Sequence, residues 1–292
     1  MHKHVRTALV AIVLLFAAIG LVFTGVFLAM QFGLFNVPGA IKERNAFFLG
    51  QATATSPAAV ASARLPEKPC VEAGVESCAW NGTPEWDVVE GGLLKDAAVI
   101  ERVSHETGVP ARLIAASVIP EQIRFFTAER EVFKRYFEPL KILGSLSQFS
   151  LGVSGIKQET ARLVELQAND PSSPFYPGPE AARLLRYPAG TKDADAALFA
   201  RLTDEKDHYY SYLYTALYLK EVEAQWEKAG FDVSDDPYAL VTLFNIGFKN
   251  SVPKEDPKAG GAQIAVGGRT YVFGELGGDF FVSDEMLDVF PR

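Results

Sequence analysis

Histidine and cysteine are scarce in this chain, at four and two of 292 residues. Two thiols cannot build a four-thiolate zinc centre, and two of the four imidazoles, His2 and His4, lie in the leading tail. A zinc enzyme is therefore disfavoured, and no metal or other cofactor is expected. Basic residues are outnumbered as well, 28 Lys and Arg against 36 Asp and Glu, for a net charge of −8. A nucleic-acid binder would present a clustered basic face, so no nucleic-acid partner is expected. Neither GxGxxG nor GxxxxGK[ST] occurs, which leaves nucleotide-binding loops without support. GVSG, from Gly152 to Gly155, resembles a nucleophile elbow only briefly, because Ile156 stands where the second glycine should follow Ser154. With 48% hydrophobic residues the chain is too apolar for a disordered protein and long enough for a sizeable core.

Charge is absent altogether from Ala8 to Phe35, a run of 28 residues. A hydrocarbon core of about 30 Å needs about 20 helical residues, so this run is expected to be a retained transmembrane helix. A cleaved signal peptide is the alternative, although its apolar region is normally only about 7 to 15 residues. Lys3 and Arg6 before the run are matched by Lys42 and Arg44 after it, so positive charge does not set the orientation. Cys70 and Cys78 fall in an irregular stretch behind a Pro/Ala/Ser-rich run. A disulfide there would stabilise a loop with little core of its own and would imply an oxidising, extracytoplasmic location; two unpaired thiols are the alternative. The expected organisation is a cytoplasmic tail at 1–7, a transmembrane helix at 8–35, a tether with the disulfide loop at 36–92, and a domain at 93–292.

The domain is expected to be mainly α-helical. LLKDAAVIERVSHETG has helical spacing and stops at Gly108, and PARLIAASVI reads as a core helix that Pro120 ends or kinks. Further helices are suggested by EREVFKRYFEPLKILGSL, GIKQETARLVELQ, PEAARLLRY, DHYYSYLYTALYLKEVEAQWEKAG and YALVTLFNIG. AQIAVGGRTYVFG alternates about Gly267-Gly268, the pattern of a small C-terminal β-hairpin.

Three stretches in this order resemble motifs of the lysozyme-like lytic transglycosylases, in the goose-type lysozyme superfamily. GVPARLIAASVIPEQIR is similar to the helix ending in the family's catalytic glutamate, here Glu121. SLGVSGIKQETA, from Ser150, is similar to SxGxxQIxxxTA, and LFNIG, from Leu243 to Gly247, is similar to YNAG. The resemblance spans about half the chain and implies a lysozyme-like helical domain on a membrane anchor. It also implies cleavage of peptidoglycan glycan strands to 1,6-anhydro-muramyl products. Three departures stand out: Gln122 follows the glutamate where serine is usual, Gly155 replaces the family glutamine, and 31 residues separate Glu121 from Gly152.

Glycosidic cleavage needs an acid that protonates a poor leaving oxygen, and a glutamate with an ordinary pKa of about 4.3 is mostly ionised at neutral pH. Placing Glu121 at the end of an apolar helix is expected to favour its protonated form by desolvation. The structural alternative is a helix-end residue satisfied by Arg124 or Arg130. Asn245 has donors and an acceptor suited to an acetamido group or to the catalytic carboxylate, and serves equally as a cap or turn residue. Ser150 could hydrogen-bond Glu121, and Gly152 and Gly155 would let backbone approach a sugar, or all three form an ordinary tight turn. The tyrosines of HYYSYLYTALY cannot share one helix face, so Tyr214 is a candidate for stacking on sugar, with core packing as the alternative. Glu129, Glu131 and Glu159 read as solvated carboxylates. NGT at Asn81 fits a glycosylation sequon, best explained as chance. Two other functions compete: a lysozyme-type hydrolase of the same strands, and an inactive wall-binding or scaffold module of a cell-envelope machine.

Overall fold

The computed structural model describes Gly20 and residues 78–127, 150–151, 153–204 and 206–292. The chain divides into two units, Met1–Lys42 and Glu43–Arg292, and all described residues except Gly20 belong to the second. The apolar run at 8–35 lies outside the described residues apart from Gly20, which is helical. Among the described residues no helix is long and apolar enough to cross a membrane. The helix expected from EREVFKRYFEPLKILGSL, Cys70, and Glu129 and Glu131 also lie outside them. Cys78 is disulfide-bonded, and Cys70 is the only other cysteine of the sequence.

The fold is mainly α-helical, and the first helix among the described residues of the second unit corrects the expected domain boundary. Helix α1 spans Pro84–Thr107, opened by Pro84 in the first turn and by Thr83, whose Oγ1 accepts from the Trp86 N–H at 3.2 Å. It closes on Gly108 in the left-handed region at φ 76°. Trp80, Trp86 and Val89 are buried, with Trp80 and Trp86 4.8 Å apart between ring centroids and both against Phe280. Residues 78–92, assigned to a tether from the sequence, are therefore part of the folded domain. Gly91-Gly92 lowers helix propensity there by about 1 kcal/mol per residue, and the buried indoles more than offset it.

Helix α2, Ala111–Thr127, decides between the two alternatives at Pro120, because it continues through the proline rather than ending there. Proline leaves the Ala116 carbonyl without its in-helix donor. That carbonyl lies against Gly277, where a Cβ would collide with it. Downstream come strand β1 (Ser150–Leu151), antiparallel to β2 (Ile156–Lys157), and then α3 (Gln158–Asn169), α4 (Pro179–Leu184) and α5 (Ala194–Leu202). Helix α6 (Tyr209–Lys228) and helix α7 (Pro237–Ile246) follow, and a single 3₁₀ turn occupies Phe248–Asn250. Strands β3 (Gln263–Val266) and β4 (Arg269–Val272) form the expected hairpin, Ile264 opposite Tyr271, with Gly267 and Gly268 both at positive φ. The chain then enters α8, Phe273–Val282, which the glycines of GELGGD hide from sequence reading.

Two helices occupy the centre. Helix α2 packs on α1, α6, α7, α8 and β3, whereas α6 packs on α1, α2, α3, α5, α7 and β2. Arg112, in the first turn of α2, is fully buried and donates to the carbonyls of Phe280, Phe281, Ser283, Glu285 and Phe290. Burial lowers its pKa to about 10, which still leaves it charged at neutral pH.

The helical glycines fall into two groups with opposite expected effects. A Cβ at Gly91 or Gly92 would meet nothing within 4 Å, so Gly91→Ala and Gly92→Ala should each stabilise by about 1 kcal/mol. A Cβ at Gly277 would overlap the Ala116 carbonyl and stand 2.7 Å from Val241 Cγ1, so Gly277→Ala should cost about 1–3 kcal/mol despite its better propensity. Urea titration of the three variants checks the sign reversal.

Candidate functional site

Glu121 sits on α2 with 4% of its surface exposed, between Ile119 and Ile123, both fully buried. Successive side chains on a helix point about 100° apart, so Gln122 leaves α2 in another direction. Arg124, three residues on, bridges the Glu121 carboxylate, its Nη2 2.8 Å from Oε1 and 2.5 Å from Oε2. The structural alternative raised for Glu121, a partnership with Arg124, is thus present. Burial alone disfavours a charged carboxylate, whereas an adjacent guanidinium favours it.

The second motif meets the first. Residues 153–155 connect β1 to β2, with Gly155 in the left-handed region at φ 66°. Gly155 lies directly on Glu121: a Cβ there would stand 2.6 Å from both Cδ and Oε1 of the glutamate, and closer still to Cγ. The Gln122 Nε2 donates to the Val153 carbonyl. On the far side Ile156 is buried and the Gln158 Nε2 donates to the Asp195 carbonyl at 2.9 Å, which ties the start of α3 to α5. Gly152 lies outside the described residues, while Ser150 is in β1, opposite Lys157.

The third motif is placed differently. Asn245, near the end of α7, accepts at Oδ1 from the Ala262 N–H at 2.9 Å, and Gly261, at φ 102°, leaves no room for a Cβ beside that oxygen. Asn245 makes no hydrogen bond to Glu121. It anchors the loop before β3 through its oxygen, while its amide nitrogen has no hydrogen-bond partner among the described residues.

Tyr214 requires a correction. It is fully buried, its hydroxyl donates to Glu165 on α3, and it presents no ring to stack on a sugar. Three other tyrosines of α6 behave alike: Tyr209 donates to Glu106, Tyr212 to Asp96 at 2.8 Å, and Tyr218 to the Leu243 carbonyl at 2.9 Å, whereas Tyr210 is only partly buried, its ring against Tyr209 and the Arg201 guanidinium. Of the five tyrosines only Tyr210 keeps partial exposure, because neighbouring elements cover the other four. Tyrosine rings can then face every direction, provided each hydroxyl finds an acceptor. Burial, together with the facing carboxylates, pushes the Tyr209, Tyr212 and Tyr214 phenols well above their ordinary range. At the start of α6 the His208 Nδ1 also meets Asp96, at 2.5 Å.

Among the spare carboxylates, Glu159 is exposed, as expected. Glu221 is one that sequence reading missed. It is fully buried on α6, neither carboxyl oxygen has a hydrogen-bond partner among the described residues, and burial pushes its pKa up to about 10. Nothing in the local sequence separates it from the half-buried Glu223 or the exposed Glu227. Above its ordinary value of 4.5 the unfolded chain ionises at this residue while the folded chain does not. The unfolded state then binds fewer protons, and stability falls as pH rises toward 10. Glu221→Gln should remove this slope. The difference between wild type and variant should change by about 1 kcal/mol per pH unit between about pH 5 and about pH 8, measured by urea titration at several pH values.

Among the described residues no group of three or more His, Cys, Asp or Glu side chains could hold a metal ion. Comparison with protein-family models, with curated proteins and with solved structures finds no match.

Proposed function

We propose that this chain is a membrane-tethered lytic transglycosylase with a lysozyme-like domain, cleaving the glycan strands of peptidoglycan outside the cytoplasm. The observation that carries this reading is the contact of Gly155 with Glu121. Two motifs of the same resemblance, with 31 residues between Glu121 and Gly152, converge on a single carboxyl group. Glu121 protonates the bridging oxygen. The same carboxylate then accepts a proton as the sugar's own 6-hydroxyl attacks the anomeric carbon, closing a 1,6-anhydro ring. For the first step Arg124 must release the carboxylate or share its charge with the bound strand. Residues 8–35 serve as the membrane anchor, and the disulfide at Cys78 fits an oxidising compartment.

The intramolecular hydroxyl is favoured over water because effective molarities of well-oriented groups reach about 10⁵ M or more. Mass analysis of a peptidoglycan digest made with the full-length protein tests this. Anhydro-ended muropeptides, lighter by one water than hydrolytic ones, are expected; reducing ends would assign a lysozyme-type hydrolase. A second reading, an inactive wall-binding or scaffold module, is favoured by the Arg124 ion pair and the 4% exposure of Glu121. Strand binding without any cleavage would select it.

A further inference from the structure

A glutamate that delivers a proton must hold its carboxyl in one orientation, although its side chain turns about three bonds. Glu121 is held from two directions. Arg124 bridges the carboxylate from the same helix, and Gly155 closes on Cγ, Cδ and Oε1 from the 153–155 turn. The turn needs its own attachment to α2, and Gln122 supplies it through the Val153 carbonyl. Consecutive residues of α2 thus engage positions two apart in the turn: Gln122 bonds Val153, and Glu121 touches Gly155. Ser154, between them, is 1% exposed, which marks the turn as packed rather than loose. Two of the three departures from the resembled motifs, Gln122 and Gly155, thus fall on the two contacts between α2 and this turn. A side chain at 155 would occupy the space of the Glu121 carboxyl.

We propose that Gln122 is a positioning residue for Glu121, fastening the 153–155 turn to α2 so that Gly155, lacking a side chain, fixes the orientation of the glutamate carboxyl. The proposal rests on the reading of Glu121 as the general acid. The full-length protein, Gln122→Ala and Gln122→Glu are compared on peptidoglycan, and the labelling of Glu121 by a water-soluble carbodiimide is followed by peptide mass spectrometry, with exposed Glu159 as the internal standard.

Gln122→Ala should lower kcat about tenfold or more with KM unchanged, because misorientation affects the proton transfer and not strand binding. Labelling of Glu121 should rise several-fold as the turn lifts. Gln122→Glu keeps the volume and serves if the alanine variant does not fold. Its ionised carboxylate cannot donate to the Val153 carbonyl, whereas the protonated form can. Its activity relative to wild type should therefore be low at neutral pH and recover toward about pH 4, where a solvated glutamate takes up its proton. Gln122→Ala should show no such recovery. Unchanged kcat together with unchanged labelling, in a wild type that cleaves, overturns the positioning role and leaves the proposed function standing. A wild type that cleaves nothing, with labelling that rises in the variants, overturns the proposed function and supports the grip of the turn on Glu121. A kcat loss in Gln122→Glu that does not recover with acid overturns the proposal.

Discussion

Replacing Glu121 by glutamine is expected to abolish digestion of peptidoglycan while leaving the fold intact. The amide keeps the volume of the carboxyl and can still accept from Arg124, but it has no proton to transfer. General acid–base catalysis is typically worth about 10² to 10⁴ in rate, and the loss should fall in that range. Stability should not fall. The ion pair is lost, but the Arg124 side chain is 24% exposed and keeps water as a partner, so no charge is stranded. The check is a zymogram with matched amounts of wild type and Glu121→Gln, alongside their melting temperatures. Equal clearing by the two proteins would reduce Glu121 to a structural partner of Arg124 and sink the catalytic assignment.

The largest loss of stability is expected at Arg112. Its five bonded carbonyls come from the end of α8 and the segment behind it, and its guanidinium also stacks on the Phe280 ring at 4.6 Å. Arg112→Met removes every donor and leaves those carbonyls enclosed. At about 1–3 kcal/mol for each buried unsatisfied group, the cost is on the order of 5 kcal/mol or more, within reach of the whole stability of a domain. Arg112→Lys should not rescue it, because an ammonium carries three donors at one point and cannot match the guanidinium fork. Urea titration or soluble yield measures the effect. A midpoint for Arg112→Met within about 1 kcal/mol of wild type would show that the C-terminal segment satisfies its carbonyls another way.

The sequence by itself determined the helical class, the hairpin at Gly267-Gly268, the stop at Gly108 and the start at Pro179. These are local properties: the period of apolar side chains, a left-handed glycine and a proline in the first turn act within a few residues of where they stand. It also singled out Glu121, because a carboxylate among Ile119, Pro120 and Ile123 breaks an apolar pattern. Tertiary structure alone decided what each polar group meets. Periodicity reports how apolar a face is and not what lies opposite, so Tyr214 could not be told from a groove residue until its face of α6 proved to be covered. Gly155 reaches Glu121 only because β1 and β2 carry the turn back over α2, and Arg112 finds its carbonyls 168 to 178 residues away. Contacts at that separation depend on how the helices pack, which no local signal in the chain encodes.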